Sequence, residues 1–535
     1  MAVVFCFVMI AVCYRLLDLT VLSPEGDTRP LAVNLARNHL ATGRADITDR
    51  HGELIATTLM TFSLFANPQK ILDAKEAAHK LALTFPHLKE EELLRRLSSD
   101  KTFVWIQRHL TPTQQAKVLE LGLPGIEFIR DYRRVYPQSH LVSHVVGFTD
   151  IDNRGLAGIE KGMDERLRTN PEPLVLSIDL SFQHIVRDEL LKGIKEFGCM
   201  GGSGTILDFQ TGEILAMVSL PDFNPNQPLK STEEERFNKT TLGIYELGSV
   251  LKVVNTALGL ESGAVTLTTR FNTAEPIRVG RFTITDYKVP PGTYTVAEIF
   301  TLSSNRGSVR IALAAGTEKQ KEFFRKLGYM EPIKLEIPEI GQPRIPKNWR
   351  ESTTITASYG YGFSISPLQL LVGIATIVGD GRRIHPTLLK GGTAHQPRER
   401  VVSEQTARRV LYLMRQVVLE GTARKAAIPG FFVAGKTGTV NWLEKGGYNK
   451  QRVATSFVAV LGEDANSPRY IMIMRLYNPQ RLSKTHGLNS AGWNVVPVTR
   501  RIMERIVHLT GMEPRDQLSK PTDPLLQSVS YRRTP

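Results

Sequence analysis

The stretch "PGFFVAGKTGTV", residues 429–440, decides the fold, and it admits two incompatible readings. Gly430 to Thr437 satisfies the letter of a phosphate-binding loop, G-x-x-x-x-G-K-[ST], while the same letters hold the triplet Lys436-Thr437-Gly438. A phosphate loop aims successive backbone N–H groups at an anion. It needs small, flexible residues and a helix that begins at the lysine. Here the variable positions are Phe431, Phe432, Val433 and Ala434, which favour strand. Gly438, Thr439, Val440 and Asn441 follow, and these are poor residues for the first turns of a helix. One continuous strand through Lys436 is therefore predicted, and nucleotide binding is set aside.

A lysine presented by such a strand suits a serine acyltransfer site, which also needs a nucleophile beside a base. "YELGSVLKVVNTALGLE" supplies Ser249 and Lys252 as S-x-x-K, a spacing that puts both side chains on one face of a helix. A serine hydroxyl is a weak nucleophile until a neighbour takes its proton. Lysine can do so when desolvation and nearby positive charge depress its pKa, and Lys436 would supply that charge. A second match, Ser98 and Lys101 in "RRLSSDKTF", lies on a charged, solvated segment and is read as chance. Ser249 instead follows a glycine and opens an apolar helix, where backbone N–H groups can serve an oxyanion. Between these motifs, "FTLSSNRGSVRIAL" carries Ser303-Ser304-Asn305 as S-x-N. A lone Ser-Asn pair is usually turn chemistry. Three motifs in the order S-x-x-K, S-x-N, K-T-G are hard to obtain by accident.

With these motifs the chain resembles the penicillin-binding protein transpeptidases, and the likeness spans roughly residues 40 to 500. "RADITDRHGELIA" (44–56) is similar to a class B motif, with Ala45 in place of the usual Gly. "RVYPQSHLVSHVVGFTDIDNRGLAGIE" (134–160), "SLPDFNPN" (219–226) and "ASYGYGFSISPLQL" (357–370) complete the set. No glycosyltransferase module accompanies them, which excludes class A. Tyr245-Glu246-Leu247-Gly248-Ser249 and Ser303-Ser304-Asn305-Arg306-Gly307 resemble the division-specific (FtsI-type) group rather than the elongation group, which tends to carry Asp in place of that Asn.

The resemblance implies a D,D-transpeptidase that cross-links peptidoglycan stem peptides through a serine acyl-enzyme, and that reacts with β-lactams. Ser249 would be the nucleophile, Lys252 the base, and Ser303 the proton relay to the leaving amine. Asn305 would bind the substrate amide, and Lys436, Thr437 and Thr439, around Gly438, would hold the terminal carboxylate. The backbone N–H groups of Ser249 and Thr439 would form the oxyanion hole. No metal or cofactor is expected. Three alternatives stay open: an elongation-type transpeptidase, a β-lactam-hydrolysing or -sensing serine protein, and a non-catalytic scaffold. The hydrolase and the sensor would not explain the N-terminal region with its class B motifs, and a scaffold would be expected to lose a motif.

Bulk properties agree with a folded, multi-domain α+β protein. The chain has 535 residues, 41% of them hydrophobic and 22% charged, enough for two or three substantial cores. Its net charge of +14 invites a nucleic-acid reading, but the basic residues are interleaved with 53 acidic ones and no nucleic-acid motif appears. Attraction to an anionic surface or polymer is the more modest inference. The three cysteines, Cys6, Cys13 and Cys199, define neither a disulfide framework nor a metal cluster.

Residues 1–22, "MAVVFCFVMIAVCYRLLDLTVL", are apolar as far as Cys13 and reach bilayer length only when extended to Leu22, with Arg15 and Asp18 towards the interface. They are read as an uncleaved membrane anchor, a buried core helix being the alternative. Residues 23–172 then form an extended α/β pedestal of the dimerisation type. It starts with a hairpin at 44–59 and carries short exposed helices over 74–121. Residues 173–512 form the transpeptidase domain, an antiparallel sheet flanked by helices with the Lys436 strand at the edge of the cleft. Residues 513–535 are a polar, Pro-rich tail expected to be disordered. By resemblance the catalytic domain lies in the periplasm, held by a single pass in the inner membrane. Cell-division proteins, among them a membrane glycosyltransferase, would bind the pedestal.

Overall fold

A computed structural model describes residues 43–280, 282–287, 289–393, 396–444 and 447–515. The predicted anchor at 1–22 and nearly all of the predicted tail at 513–535 lie outside them. Among the described residues no helix is long and apolar enough to cross a membrane. The chain divides into two compact units. The first holds Thr58–Arg133, Glu165–Pro173 and the described residues up to Asp46. The second holds Ile47–Thr57, Arg134–Asp164 and everything from Leu174 onward.

The first unit has its own core. Three helices, α1 (Ala74–Thr84), α2 (Glu90–Leu97) and α3 (Pro112–Glu120), present apolar stripes to the strand pair formed by β2 (Leu54–Ala66) and β3 (Val104–Leu110). Leu64, Leu81, Phe85, Leu93, Ile106 and Leu110 bury together there. The helices predicted to be merely exposed are thus half-buried, because spacing of three and four turns one face inward. Asp73 caps α1 by accepting from Lys75 and Glu76 N–H, and Thr111 opens α3 in a capping box. Strand β4 (Ile126–Val135) also pairs with β2, and its Asp131 binds Arg108 at 2.9 Å as well as Ser63.

In the second unit, β1 (Ile47–Thr48) turns through His51-Gly52 into the start of β2, the expected hairpin, and runs parallel to β5 (Leu174–Val175). Helix α4 (Leu180–Phe197) follows, and then β6 (Gly201–Asp208) and β7 (Ile214–Leu220) pair antiparallel around the Gln210–Gly212 turn. These two strands complete the main sheet, ordered β12-β13-β14-β6-β7 and antiparallel throughout. Four short strands, β8 (Arg270–Asn272), β9 (Ile277–Val279), β10 (Phe282–Ile284) and β11 (Thr293–Thr295), precede β12 (Phe432–Glu444), β13 (Gly447–Gly462) and β14 (Pro468–Tyr477) in the chain. Helix α4 packs on β6 and β7, and the C-terminal helix α10 (Val495–Val507) packs against α4, β13 and β14. Helices α5 (Lys252–Glu261), α8 (Pro367–Val378) and α9 (Glu404–Leu419) pack on one another, with α8 against β14 and α9 against β12. Between α5 and α8 lie α6 (Val296–Leu302) and α7 (Asn305–Ala315).

The opening stretch is therefore a strand. Gly435 to Thr439 pair residue by residue with Ala459 to Thr455, and no helix begins at Lys436. Strand β12 is an edge strand, paired on one side with β13. Its other side runs beside the Gly248–Leu251 turn.

Candidate active site

Ser249 sits in a 3-10 turn, Gly248–Leu251, one turn before the α-helix that starts at Lys252. The sequence reading placed it at the opening of that helix, and the structure inserts this tighter turn. The turn is pinned on both flanks. Tyr245 and Ile365 exchange backbone hydrogen bonds at 3.0 and 3.1 Å, and Gly248 N–H donates to Gly360 O at 3.1 Å. Gly248 has φ +59°, a left-handed conformation that costs a residue with a Cβ about 1–2 kcal/mol. On the strand side, a Cβ on Gly438 would sit 2.7 Å from Val250 Cγ2 and 2.9 Å from Leu247 O. Glycine at 438 is what allows β12 to lie against the nucleophile turn.

Ser303 ends α6 and is itself left-handed, at φ +61°. Asn305 starts α7, with Ser304 capping that helix through Gly307 N–H. The turn between the two helices brings Ser303 and Asn305 to Lys252. The Lys252 ammonium donates to Ser303 O at 2.6 Å, Asn305 Oδ1 at 2.7 Å and Ser303 Oγ at 3.2 Å. From the strand, Lys436 Nζ donates to the same Ser303 Oγ at 2.9 Å. The motif residues Lys252, Ser303, Asn305 and Lys436 therefore form one hydrogen-bonded cluster, and Ser249 is half-buried beside it. The hydrogen bonds found for Lys252 among the described residues run to the 303–305 turn rather than to Ser249.

Both lysines are fully buried. Burial, reinforced by the charge of Lys436, drives the Lys252 pKa well below the ordinary lysine range, while the Asp286 carboxylate opposes the shift. Burial alone brings Lys436 down to about 7. Three acceptors around Lys252 Nζ favour its ammonium form. Loss of hydration and a second cation weigh more, so the balance moves towards the neutral amine.

Alternation along β12 sends Lys436 towards the helices and turns Thr437 and Thr439 the other way. Thr437 shares a 2.6 Å hydrogen bond with Thr422, and Thr439 Oγ1 accepts from Ala491 N–H at 3.1 Å. Each threonine is thereby tied to a neighbouring loop. By contrast, Ser98 and Lys101 are both exposed in the first unit.

Three further residues complete the site. Glu246 accepts from Gly362 N–H at 2.8 Å and from the Tyr448 hydroxyl at 2.9 Å, and its burial raises its pKa. Thr422 orients Thr437. Asp286 accepts from Ser304 Oγ at 2.9 Å and from the backbone N–H of Asn305 and Arg306. Asp286 and Thr422 stand in ordinary-looking context ("TITDYK", "EGTARKA"), whereas Glu246 lies inside the quoted YELGS motif without a role having been assigned to it. No spacing rule could have found Asp286 or Thr422.

Comparison with known proteins agrees with this geometry. Residues 202–504 match the penicillin binding protein transpeptidase domain, and residues 39–173 match the penicillin-binding protein dimerisation domain. The probable peptidoglycan D,D-transpeptidase FtsI of Caulobacter vibrioides is 33% identical, over 89% of this chain and 82% of that protein. The peptidoglycan D,D-transpeptidase FtsI of Escherichia coli K12 is 29% identical, over 94% and 89% of the two chains. Among solved structures, penicillin binding protein 3 of Mycobacterium tuberculosis, complexed with ampicillin, superposes with a TM-score of 0.70. It is 24% identical and covers 90% of this chain and 98% of its own, a likeness of fold. Sequence, fold and the ordered serine–lysine cluster together show that this chain belongs to the class B penicillin-binding protein transpeptidases.

Proposed function

We propose that the protein is a peptidoglycan D,D-transpeptidase of septal cell-wall synthesis. Ser249 Oγ attacks the carbonyl of the penultimate D-Ala of a stem peptide, the C–N bond breaks, and the terminal D-Ala leaves. An amine of a second stem peptide then attacks the ester, forms the cross-link and returns the proton to Ser249. Neutral Lys252 takes the serine proton in the first step. Protonated Lys436, with Thr437 and Thr439 along the Gly438 strand, holds the substrate carboxylate, and Asn305 binds its amide. The backbone N–H groups of Ser249 and Thr439 receive the oxyanion.

The observation that carries this reading is the shared acceptor. Ser303 Oγ takes hydrogen bonds from Lys252 at 3.2 Å and from Lys436 at 2.9 Å. With both lone pairs engaged, its own proton is left to donate outward, as a relay to a leaving amine requires. Penicillins mimic the D-Ala-D-Ala terminus and acylate the same serine.

Residues 173–512 are proposed as the catalytic domain and 23–172 as the pedestal. Residues 1–22 serve as the single membrane anchor that keeps the catalytic domain in the periplasm, and 513–535 as a tail. The pedestal offers partners exposed apolar side chains, Leu72, Leu83 and Leu119 among them. Cell-division proteins, including a membrane glycosyltransferase, are the proposed occupants.

The test is to incubate the full chain with a fluorescent penicillin and follow the adduct by intact and peptide mass spectrometry. The expected result is one adduct, on the Ser249 peptide, that persists for hours. An adduct that turns over rapidly into hydrolysed drug would support a hydrolase instead, and absence of an adduct on the folded protein would overturn the proposal.

A further inference from the structure

Between α5 and α6 the chain leaves the helical layer as two short antiparallel ribbons. Strands 270–272 pair with 293–295, and 277–279 pair with 282–284. The inner ribbon ends in Thr285 and Asp286, which return to the turn that carries Ser303 and Asn305. We infer that Asp286 is a positioning residue for acyl transfer, acting through the Ser303–Asn305 turn and through its charge on the buried Lys252. The inference deepens the proposed function and rests on Lys252 being the base.

The Asp286 side chain has no exposed surface. Its Oδ1 accepts from Asn305 N–H and from Arg306 N–H at 3.1 Å. Its Oδ2 accepts from Ser304 Oγ at 2.9 Å and Arg306 Nε at 3.2 Å. The first turn of α7 is thus gripped by one carboxylate, immediately after the left-handed Ser303. A residue in that conformation persists where its surroundings over-determine it. The neighbouring Thr285 carbonyl accepts from Asn305 Nδ2 at 2.9 Å. This fixes which way the Asn305 amide points, so its Oδ1 is the atom left for Lys252. Ribbon and carboxylate together set the acceptors that surround the Lys252 amine.

The second part is electrostatic. The charged groups that act on Lys252 are Lys436 from β12 and Asp286 from the ribbon. Asp286 in turn faces Arg306 from α7. Asp286 is thus the buried counter-charge to Lys252 and Arg306, and removing it leaves them uncompensated. With its counter-charge gone, Lys252 holds its proton less tightly. The neutral base then survives to lower pH, while its acceptors are less well placed.

The experiment measures the acylation rate constant for a fluorescent penicillin from pH 5 to 9, in the full-length wild type, Asp286→Asn, Asp286→Glu and Arg306→Met. Asp286→Asn is expected to slow acylation by on the order of 100-fold and to move the acidic limb to lower pH. Asp286→Glu is expected to recover part of the rate with the limb near its wild-type position. Arg306→Met, which frees Asp286 of its ion pair and so strengthens the hold of that carboxylate on Lys252, is expected to move the limb to higher pH, and it serves as the readout if Asp286→Asn does not fold. An Asp286→Asn protein that acylates at the wild-type rate overturns the inference. So does a slower one whose acidic limb has not moved, the mark of a merely structural residue, or an unmoved limb in Arg306→Met. A wild type that is never acylated would instead overturn the proposed function itself, so the two failures are distinguishable.

Discussion

Two places in the molecule carry the same spacing, S-x-x-K, and the structure treats them differently. Ser98 ends helix α2, its N–H returned to Leu94 O, and Lys101 stands three residues on. Both side chains are exposed. Ser249 sits in a 3-10 turn wedged against β12, and Lys252 is fully buried among Ser303, Asn305 and a second lysine. Spacing places a base within a helical turn of a hydroxyl. Desolvation and a neighbouring cation make that base available. Only the second place has them.

Replacement of each serine breaks the comparison most sharply. Ser249→Ala is expected to abolish covalent penicillin labelling, and Ser98→Ala to leave it at the wild-type level. Labelling that persists in Ser249→Ala would place the nucleophile elsewhere. The lysines come next. Lys252→Met is expected to slow acylation by about 10²–10⁴-fold, while Lys101→Met leaves the rate unchanged. Lys252→Arg is expected to fail as a rescue, since a guanidinium stays charged and cannot take the serine proton.

The packing of strand against turn is tested by Gly438→Ala. The added Cβ meets Val250 and the Leu247 carbonyl, and a backbone atom yields little. A loss of about 1–3 kcal/mol in thermal or urea unfolding is expected, with slower acylation. Wild-type stability and rate would show that the close approach is not required.

The charge of Lys436 sets a pH dependence in the opposite sense to that of Lys252. Its pKa lies at about 7 in the free protein, and carboxylate capture needs the protonated form. Affinity for a carboxylate-bearing β-lactam is therefore expected to fall as pH rises above 7, by about tenfold per unit. Lys436→Met is expected to bind weakly with no such alkaline decline, as a titration of initial complex formation would show. The smallest effect is expected from Thr422→Val. It removes the 2.6 Å hydrogen bond to Thr437 at roughly 0.5–1.5 kcal/mol, a few-fold loss in acylation efficiency.

Much of the fold was legible because its signals are local. Apolar residues at 431–434 and glycine and threonine after Lys436 excluded a loop–helix junction. The His51-Gly52 turn announced the hairpin of β1 with β2. The three motifs were legible because their chemistry fixes residue types at short spacing. The 3-10 turn at Ser249 was not, because Gly248 takes its left-handed conformation through Gly360, more than a hundred residues away. Asp286 and Thr422 were missed for the same reason. Each acts through a hydrogen bond to a partner distant in sequence, and nothing in its own neighbourhood marks it.

The amino-acid sequence by itself determined the elements, the order of the motifs and the class of chemistry, since these follow from periodicity, turn residues and short spacing. Tertiary structure decided which lysines lose their hydration, which serine hydroxyl the two share and which carboxylate faces Lys252. Those properties belong to burial and to distances between separate elements. They come into being only when the sheet, the nucleophile turn and the 285–305 segment meet.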